Sequence, residues 1–222
     1  DLKIIDNNVV DTLVNIEKVQ FSDCLVDTNK LGIKKRYNGA FKDFEFISKA
    51  NGTIHIKSQY GLDDITGYPE LNFTDKTVSA INDIQGTFDQ ITGKYDSSGK
   101  MYRLYKAAFD RFPDKNGLAY WINESKSGKS DLSIADNFIK SEEFRQLYGI
   151  NPTNETFVTK LYDNVFDRTP DQGGYDYWVG HLNGGIHSKE QVLCSFAESR
   201  ENISRFDANL ENYRTNIVVP IF

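Results

Sequence analysis

The chain has 222 residues and a formal net charge of −6, with 39% hydrophobic and 13% aromatic residues. This balance is that of a folded globular protein rather than a disordered one, and the length suits one large or two small domains. The acidic surplus argues against nucleic acid as the main partner, because phosphate binding needs a basic surface. No stretch of the sequence is long and apolar enough to span a bilayer, so we do not expect a membrane-spanning protein.

The first 95 residues are predicted to be rich in β-strands. Short apolar or alternating runs are separated by Asn, Asp and Gly, which is the pattern of half-buried strands joined by turns. The clearest runs are Lys3–Ile5, Val19–Phe21, Phe44–Ile47 and Thr53–Lys57. Asn51-Gly52 separates the last two runs and predicts a two-residue hairpin turn, because both residues tolerate positive φ.

A weaker internal echo runs through the same half. Four positions recur at a constant offset of 52, pairing Val19, Phe21, Asp23 and Val26 with Leu71, Phe73, Asp75 and Val78. We interpret the echo as two copies of a strand–turn–strand unit, with the Phe side chain inward and the Asp in the turn.

Residues 94–100 read KYDSSGK and are predicted to form a linker. After them the hydrophobic period changes from two residues to about 3.6, the period of an amphipathic helix. We therefore predict an α+β protein. It has a β-rich domain over residues 1–95, an all-α domain over residues 100–206 and a C-terminal tail over residues 207–222.

A repeated motif dominates the helical half. Residues 110–121 read DRFPDKNGLAYW, and residues 167–178 read DRTPDQGGYDYW, at an offset of 57. Each copy predicts a unit of three helices, the second of which begins at Pro113 or Pro170, since proline suits the first helical turn.

The third helix of each unit is predicted to begin near a serine, Ser130 or Ser188. Ser188 and Gln191 have the spacing of a capping box. Repeated helical units usually build scaffolds and binding surfaces rather than single catalytic sites. We therefore expect a protein that is not an enzyme.

The motif with its surrounding aromatic residues, LYxxxFDRxPDxxGxxYW, resembles the DUF4214 family over about residues 100–206. That family is common as repeats in large bacterial exported proteins. The segment Asp11–Asp23 resembles the unit that closes calcium-binding RTX arrays. Together the two resemblances imply a surface-layer protein or an adhesin that leaves the cell by type I secretion. The apolar end Ile217–Phe222 is similar to the tails of such secretion substrates.

Partners implied by the resemblance are other surface proteins, further copies of the same protein, or a cell-surface glycan. Calcium is a candidate cofactor that would stiffen the molecule. RTX arrays bind calcium through tandem G-G-x-G-x-D repeats, and this sequence contains none. Calcium would therefore need other ligands here.

The acidic residues of the repeated motif are the first candidate calcium ligands, namely Asp110, Asp114, Asp167 and Asp171. The alternative interpretation is structural: the intervening Arg111 and Arg168 hydrogen-bond helix-end carbonyls or the nearby Asp and fix the angle between helices. Asp63-Asp64, together with Asp23 and Asp75, is the calcium candidate of the first half, and a solvated turn is its alternative.

The repeated Tyr-Trp pairs are candidate ligand contacts. Trp121 and Trp178 could stack on sugar rings, but helical spacing places Trp121 on the face of Leu118, which favours core packing. Tyr120 and Tyr177 point elsewhere and are predicted to be partly exposed. A carbohydrate-binding module, lectin-like or accessory to an enzyme, is therefore the alternative function.

Catalytic motifs are absent from the sequence, which has no G-x-S-x-G, no P-loop and no dinucleotide-binding glycine pattern. His181, expected to be exposed, and His187 are six residues apart, which is not a helical metal-binding spacing. Cys24 and Cys194 lie in different halves; unpaired thiols are the first interpretation and a bridge the second. Cys194, on a helix, is expected to be unreactive.

Overall fold

The computed structural model describes residues 34–59 and 61–211 with their side chains, and residues 2–6, 9–13, 18–20 and 25–27 as backbone strands. The chain divides into two compact units, Asp1–Asp89 and Gln90–Phe222. The first contains the described strands and the second is helical, so the predicted α+β class is confirmed. No helix among the described residues is both long and apolar enough to cross a membrane.

The first unit is built from ten described strands. They are β1 (Leu2–Asp6), β2 (Val9–Leu13), β3 (Lys18–Gln20), β4 (Leu25–Asp27), β5 (Lys34–Arg36), β6 (Glu45–Ser48), β7 (Ile54–Ser58), β8 (Gly61–Asp64), β9 (Glu70–Asn72) and β10 (Thr77–Val78). Strands β1 and β2 form one hairpin, and β3 and β4 form another. Strands β6, β7 and β8 form an antiparallel meander, while β9 pairs antiparallel with β10 and parallel with β5.

The predicted hairpin joins β6 to β7, but its turn has three residues rather than two. Gly52 N–H donates to the Lys49 carbonyl and Lys49 N–H donates to the Thr53 carbonyl. Gly52 alone has positive φ, at 81°, which is the bulged form of a three-residue hairpin. Asn51 instead uses its side chain, whose Oδ1 accepts from Thr53 N–H at 3.1 Å.

The 52-residue echo corresponds to two hairpins of the same register. Val19 pairs with Val26 across β3 and β4, and Leu71 pairs with Val78 across β9 and β10. In the second hairpin Phe73 is buried, as predicted. It lies in a cluster of aromatic rings that also contains Tyr37, Phe41, Phe44 and Phe46. The first copy's Phe21 and Asp23 lie outside the described residues.

After β10, a π-helical turn over Ala80–Gln85 runs into the short helix α1 (Gly86–Phe88). The second unit then contains α2 (Ser97–Phe109), α3 (Lys115–Lys126), α4 (Asp131–Lys140), α5 (Glu142–Tyr148), α6 (Asn154–Phe166), α7 (Gln172–Asn183), α8 (Lys189–Ala197) and α9 (Arg200–Asn209). We call α2–α5 the first helical segment and α6–α9 the second.

Each helical segment holds four helices, one more than the three predicted. Ser141 ends α4 in an extended conformation, and its hydroxyl accepts from Phe144 N–H at 3.1 Å to cap α5. Ser199 caps α9 in the same way through Asn202 N–H at 3.2 Å. Serine is a strong N-cap, so Ser141 both ends α4 and starts α5, whereas Glu198 ends α8 and Ser199 starts α9. The predicted capping box of Ser188 and Gln191 is confirmed.

The predicted linker is wrong, because α2 begins inside it. Asp96 Oδ1 accepts from Ser98 N–H at 2.8 Å and caps the helix. Gly99 lies in the first turn, where a Cβ would come within 2.3 Å of the Gly93 carbonyl oxygen. Lys94 is buried. What resembles a flexible connection is therefore a close-packed helix start.

The two segments pack together to form one core within the second unit. Helix α2 packs against α6 and α8, and α4 packs against α8. The side chains between them are largely aromatic and are almost fully buried, including Tyr102, Phe138, Phe144, Phe157 and Phe196. Each segment buries its apolar face against the other, as expected for units too small to fold alone.

The predicted tail falls mostly beyond α9. Residues 212–222, including the apolar end Ile217–Phe222, lie outside the described residues, as does Cys24. Only part of the Asp11–Asp23 segment is described, in β2 and β3.

Candidate functional site

Each copy of the repeated motif begins where a helix stops in a left-handed conformation. Helix α2 ends at Asp110, with φ 47° and ψ 42°, and α6 ends at Asp167, with φ 50° and ψ 37°. Among the described residues these are the only non-glycine residues with positive φ. Asp tolerates this region better than most side chains, so the first Asp of the motif serves as a helix stop.

Arg111 holds the first turn against the start of α5. Its Nε donates to Glu143 Oε1 at 2.5 Å and its Nη2 donates to Glu143 Oε2 at 3.0 Å. The same guanidinium lies 2.9 Å from Asp114 Oδ2 and donates to the Phe112 carbonyl at 3.1 Å. It also lies over the Tyr105 ring, 5.1 Å from its centroid. Burial opposes the charge on Arg111, but Glu143, Tyr105 and Asp114 outweigh it and raise the pKa of the guanidinium.

Arg168 occupies the corresponding place in the second turn and makes weaker contacts. Its Nη2 lies 3.3 Å from Glu201 Oε2 and its Nη1 lies 3.7 Å from Asp171 Oδ2. Its side chain is 45% exposed, against 18% for Arg111. The guanidinium again lies over a tyrosine, Tyr162, at 5.1 Å. The geometry therefore agrees with the structural interpretation of both arginines.

The glutamate partners were not singled out from the sequence. Glu143 lies two residues after the capping Ser141, and Glu201 lies two residues after the capping Ser199. The shared spacing Ser-x-Glu was the available signal. Ser141 and Ser199 correspond after a one-residue slip between the two copies, so the Arg-to-Glu separation is 32 residues in one copy and 33 in the other.

The glycine of the motif is a packing position beneath a tyrosine hydroxyl. A Cβ at Gly174 would come within 2.1 Å of the Tyr162 hydroxyl oxygen, and a Cβ at Gly117 within 3.1 Å of the Tyr105 hydroxyl oxygen. Tyr162 is 5% exposed and lies edge-on to Phe196 at 5.2 Å, so it has little room to withdraw. The absence of a side chain at this glycine lets the tyrosine of the preceding helix pack closely against the helix that carries the glycine.

The tyrosines of the two Tyr-Trp pairs are exposed as predicted, whereas the tryptophans lie at the edge of the core rather than within it. Trp121 and Trp178 are half-buried. Trp121 packs against Phe138 at a centroid distance of 5.0 Å, and Trp178 packs against the corresponding Phe196 at 5.3 Å. The neighbouring Tyr120 and Tyr177 are 54% and 50% exposed. Both tyrosines are therefore accessible, and ligand contact through them stays a prediction.

One of the two histidines differs from expectation, because His181 is half-buried rather than exposed. Its ring stacks on His187 at 5.2 Å and approaches Tyr177 at 4.0 Å. At the corresponding place in the first segment, Lys129 and Glu124 form an ion pair of 2.6 Å. The second segment thus replaces a pair of opposite charges by a pair of stacked rings.

The described candidate calcium ligands each have partners within the protein. Asp63 Oδ1 accepts from Lys35 Nζ at 2.5 Å and its Oδ2 accepts from the Tyr37 hydroxyl at 2.9 Å. Burial and the Asp63 carboxylate raise the pKa of Tyr37. Asp64 Oδ1 accepts from Thr66 N–H at 2.8 Å, and alternation along β8 directs adjacent side chains to opposite faces.

The motif aspartates are likewise engaged and do not converge. Asp114 pairs with Arg111, Asp171 accepts from Gly174 N–H at 2.9 Å, and Asp167 accepts from Arg205 Nη1 at 2.5 Å. Asp110 N–H donates to the Lys106 carbonyl as the stop of α2. Within residues 34–59 and 61–211, no three His, Cys, Asp or Glu side chains lie close enough to hold a metal ion.

A partly buried ion pair joins the two helical segments, and it too was missed. Arg103 on α2 is 1% exposed, and its Nη2 donates to both carboxylate oxygens of Glu198, at 2.8 and 2.7 Å. Its Nη1 donates to the Lys94 carbonyl at 2.5 Å. Cys194, one turn before Glu198, is a free thiol. Burial, followed by the nearby carboxylates, raises the pKa of this thiol to about 12.

Comparison with protein families places part of this architecture. Residues 135–206 match the family described as Domain of unknown function (DUF4214). The matched stretch begins inside α4, ends inside α9 and includes the second Asp-Arg turn but not the first. No curated protein and no solved structure matches the chain.

Proposed function

We propose that this chain is a non-catalytic structural or adhesive module of a bacterial surface-layer protein or type I-secreted adhesin. The observation that carries the proposal is the use of the repeated motif. Arg111 and Arg168 each tie a helix stop to a glutamate two residues beyond a helix cap. A motif whose repeated positions hold helices at a fixed angle is typical of a scaffold that presents a binding surface.

We further propose that both helical segments are copies of one domain. The family match covers α6, α7, α8 and most of α9 together with α5 and part of α4, and the first segment reproduces the helix stop, the arginine–glutamate pair and the glycine beneath a tyrosine. The resemblance of Asp11–Asp23 to RTX-closing segments supports export by type I secretion. The partner would be another surface protein, a further copy or a glycan.

The adhesive role is tested by binding of the fluorescently labelled protein to intact bacterial cells. We expect saturable binding that is lost after the surface proteins are removed with protease. Loss only after periodate oxidation of the glycans would favour a carbohydrate partner. No binding to any cells, together with a monomeric state in analytical ultracentrifugation, would contradict the adhesive role.

Calcium stiffening is tested by a thermal melt with and without millimolar calcium, with EDTA as the control. An ion that binds only the folded state of the protein raises its melting temperature by mass action. An upward shift reversed by EDTA would support a calcium-dependent module. An unchanged melting temperature would remove calcium from the proposal and leave the helical scaffold in place.

A carbohydrate-binding module is the second candidate, and the exposed Tyr120 and Tyr177 favour it. Each ring lies edge-on to a half-buried tryptophan, at 4.8 and 5.0 Å, which holds it in a fixed orientation. A glycan array with Tyr120→Ala/Tyr177→Ala tests this function. Tyr95→Ala is the matched control, because Tyr95 is 67% exposed and lies outside the motif. Equal glycan binding by both variants would exclude these tyrosines.

A further inference from the structure

A cleft of about 230 Å³ opens in the second unit between the end of α4, the loop after α5 and the start of α8. Its described apolar lining includes Ile139, Phe144 and Ile150, and the last is 80% exposed. All three charged side chains among the described lining residues are basic: Lys140, Arg145 and Lys189. Such a lining is unusual in a chain with a net charge of −6.

The charges of this cleft, which lies at the end of α4 and the start of α8, are the reverse of those at the start of α4 and the end of α8. Lys140 immediately precedes the capping Ser141, and Glu198 immediately precedes the capping Ser199. Lys189 is the first residue of α8, and Asp131 is the first residue of α4. Two cations in one place therefore correspond to two carboxylates in the other.

At the start of α4 and the end of α8, the two carboxylates are paired with cationic side chains of α2. Glu198 is paired with the buried Arg103, and Asp131 lies 3.6 Å from Lys100. The space left between α2, α4 and α8 is only about 10 Å³. Opposite charges contributed by the protein itself thus fill this site.

In the cleft at the end of α4 and the start of α8, no acidic side chain among the described residues lines the space beside the three cations. Lys189 Nζ donates to the Pro152 carbonyl at 2.5 Å and lies 5.7 Å from the Phe157 ring centroid. Lys140 pairs with the exposed Asp136 one turn back on α4, at 2.7 Å. Arg145 has Glu142 at 3.9 Å, on the outer face of α5. These acids lie along the helices of the cations and do not line the cleft.

We propose that this cleft binds an acidic segment of a polypeptide partner. Carboxylates of the segment would pair with Lys140, Arg145 and Lys189, and an apolar side chain between them would cover Ile139 and Ile150. The apolar floor favours a peptide over a polyanionic glycan, which offers charge but little apolar surface. This inference rests on the proposed adhesive function and names a surface for it.

The electrostatic environment of Lys189 favours a further carboxylate beside it. Burial lowers the pKa of its ammonium, and Glu190 and Glu155 offset the effect only partly. A carboxylate bound in the cleft would raise that pKa again, because an opposite charge favours the ionised form.

The test uses the full chain, labelled with ¹⁵N, and a short acetylated peptide of alternating glutamate and leucine as the probe. We expect amide shifts concentrated at residues 139–152 and around Lys189. Lys140→Glu/Lys189→Glu should weaken binding by at least about 10-fold, since reversed charges at an interface repel the partner. Lys140→Gln/Lys189→Gln should weaken it less, and the melting temperature of each variant checks that it folds.

The matched control is Lys126→Glu/Lys160→Glu, which makes the same change in net charge at two exposed positions away from the cleft. It should leave peptide binding within about twofold, because well-separated surface charges are largely screened by salt. Equal weakening by both pairs would overturn the cleft and leave only nonspecific attraction. Tighter binding of a sulfated oligosaccharide than of the peptide would overturn the polypeptide partner.

The cell-binding assay separates this inference from the proposed function. If the peptide does not bind but the labelled protein still binds cells, the cleft proposal fails and the adhesive role stands. If neither binds, both fail. Cell binding that is lost in Lys140→Glu/Lys189→Glu and kept in the control pair would show that the protein binds cells through this cleft.

Discussion

Arg103 and Glu198 are 95 positions apart in the chain, yet their side chains form a bidentate ion pair. Its shortest distance, from Arg103 Nη2 to Glu198 Oε2, is 2.7 Å. Arg103 comes from the first helical segment and Glu198 from the end of α8 in the second. Because Arg103 is 1% exposed, Glu198 and the Lys94 carbonyl provide hydrogen-bond acceptors for its guanidinium in place of water.

Removing the carboxylate should therefore destabilise the second unit strongly. We expect Glu198→Gln to lower the free energy of unfolding by about 3 kcal/mol, because the buried guanidinium loses its counter-charge. Glu142→Gln is the control: Glu142 is exposed, 3.9 Å from Arg145, and its loss should cost below about 0.5 kcal/mol. Urea unfolding followed by circular dichroism measures both, and equal costs would show that the partly buried pair is not a main support.

The two motif arginines should differ in their contribution to stability. Arg111→Met removes a largely buried guanidinium with a two-pronged partner and should cost about 2 kcal/mol. Arg168→Met removes a half-exposed one whose shortest contact to a carboxylate is 3.3 Å, and should cost below about 1 kcal/mol. Thermal melts of the two variants make the comparison. A larger loss from Arg168→Met would contradict the difference in burial.

The glycine beneath Tyr162 should be intolerant of a methyl group. An alanine in a helix is normally favoured over glycine by up to about 1 kcal/mol, but Gly174→Ala should instead destabilise by about 2 kcal/mol through overpacking. Gly117→Ala should cost less, because its nearest contact is 3.1 Å rather than 2.1 Å.

A double-mutant cycle checks that cause. Tyr162→Phe removes the hydroxyl that the new Cβ would meet, so Gly174→Ala should cost less in the Tyr162→Phe background than in the natural sequence. If the cost is the same in both backgrounds, the hydroxyl is not the source of the clash.

The thiol of Cys194 should resist alkylation in the folded protein. Its pKa of about 12 leaves almost none of it ionised at pH 8, and only the thiolate is nucleophilic. In a Cys24→Ser background, we expect iodoacetamide to react at least about 100-fold more slowly than with a free cysteine, whose pKa is near 8.5. Unfolding in guanidinium should restore the ordinary rate, and a fast reaction without denaturant would contradict the burial of this thiol.

Local features of the fold were predictable because they are encoded by neighbouring residues. The starts of α4 and α8 follow from Ser130 and Ser188, and the register shared by two hairpins follows from the 52-residue echo. The C-terminal end of α4 was not predicted, since Ser141 interrupts an apolar pattern that otherwise continues into α5.

Contacts between distant segments could not be derived in this way. Nothing near Arg103 or Glu198 in the sequence indicates that they meet, and the parallel pairing of β5 with β9 also joins strands far apart in the chain. For the candidate site, the exposure of Tyr120 and Tyr177 followed from helical spacing, whereas the open cleft at Lys189 depends on how α4, α5 and α8 assemble.

The start of the family match inside α4 has a practical consequence for how this protein can be divided. A fragment beginning at residue 135 would lack the first turn of α4, with its Ser130 cap, and all of α2, against which α6 and α8 pack. Its apolar helix faces would be left in water, and such a fragment should aggregate when expressed. The smallest piece of the second unit that should fold by itself therefore begins before α2, well upstream of the stretch that matches the family model.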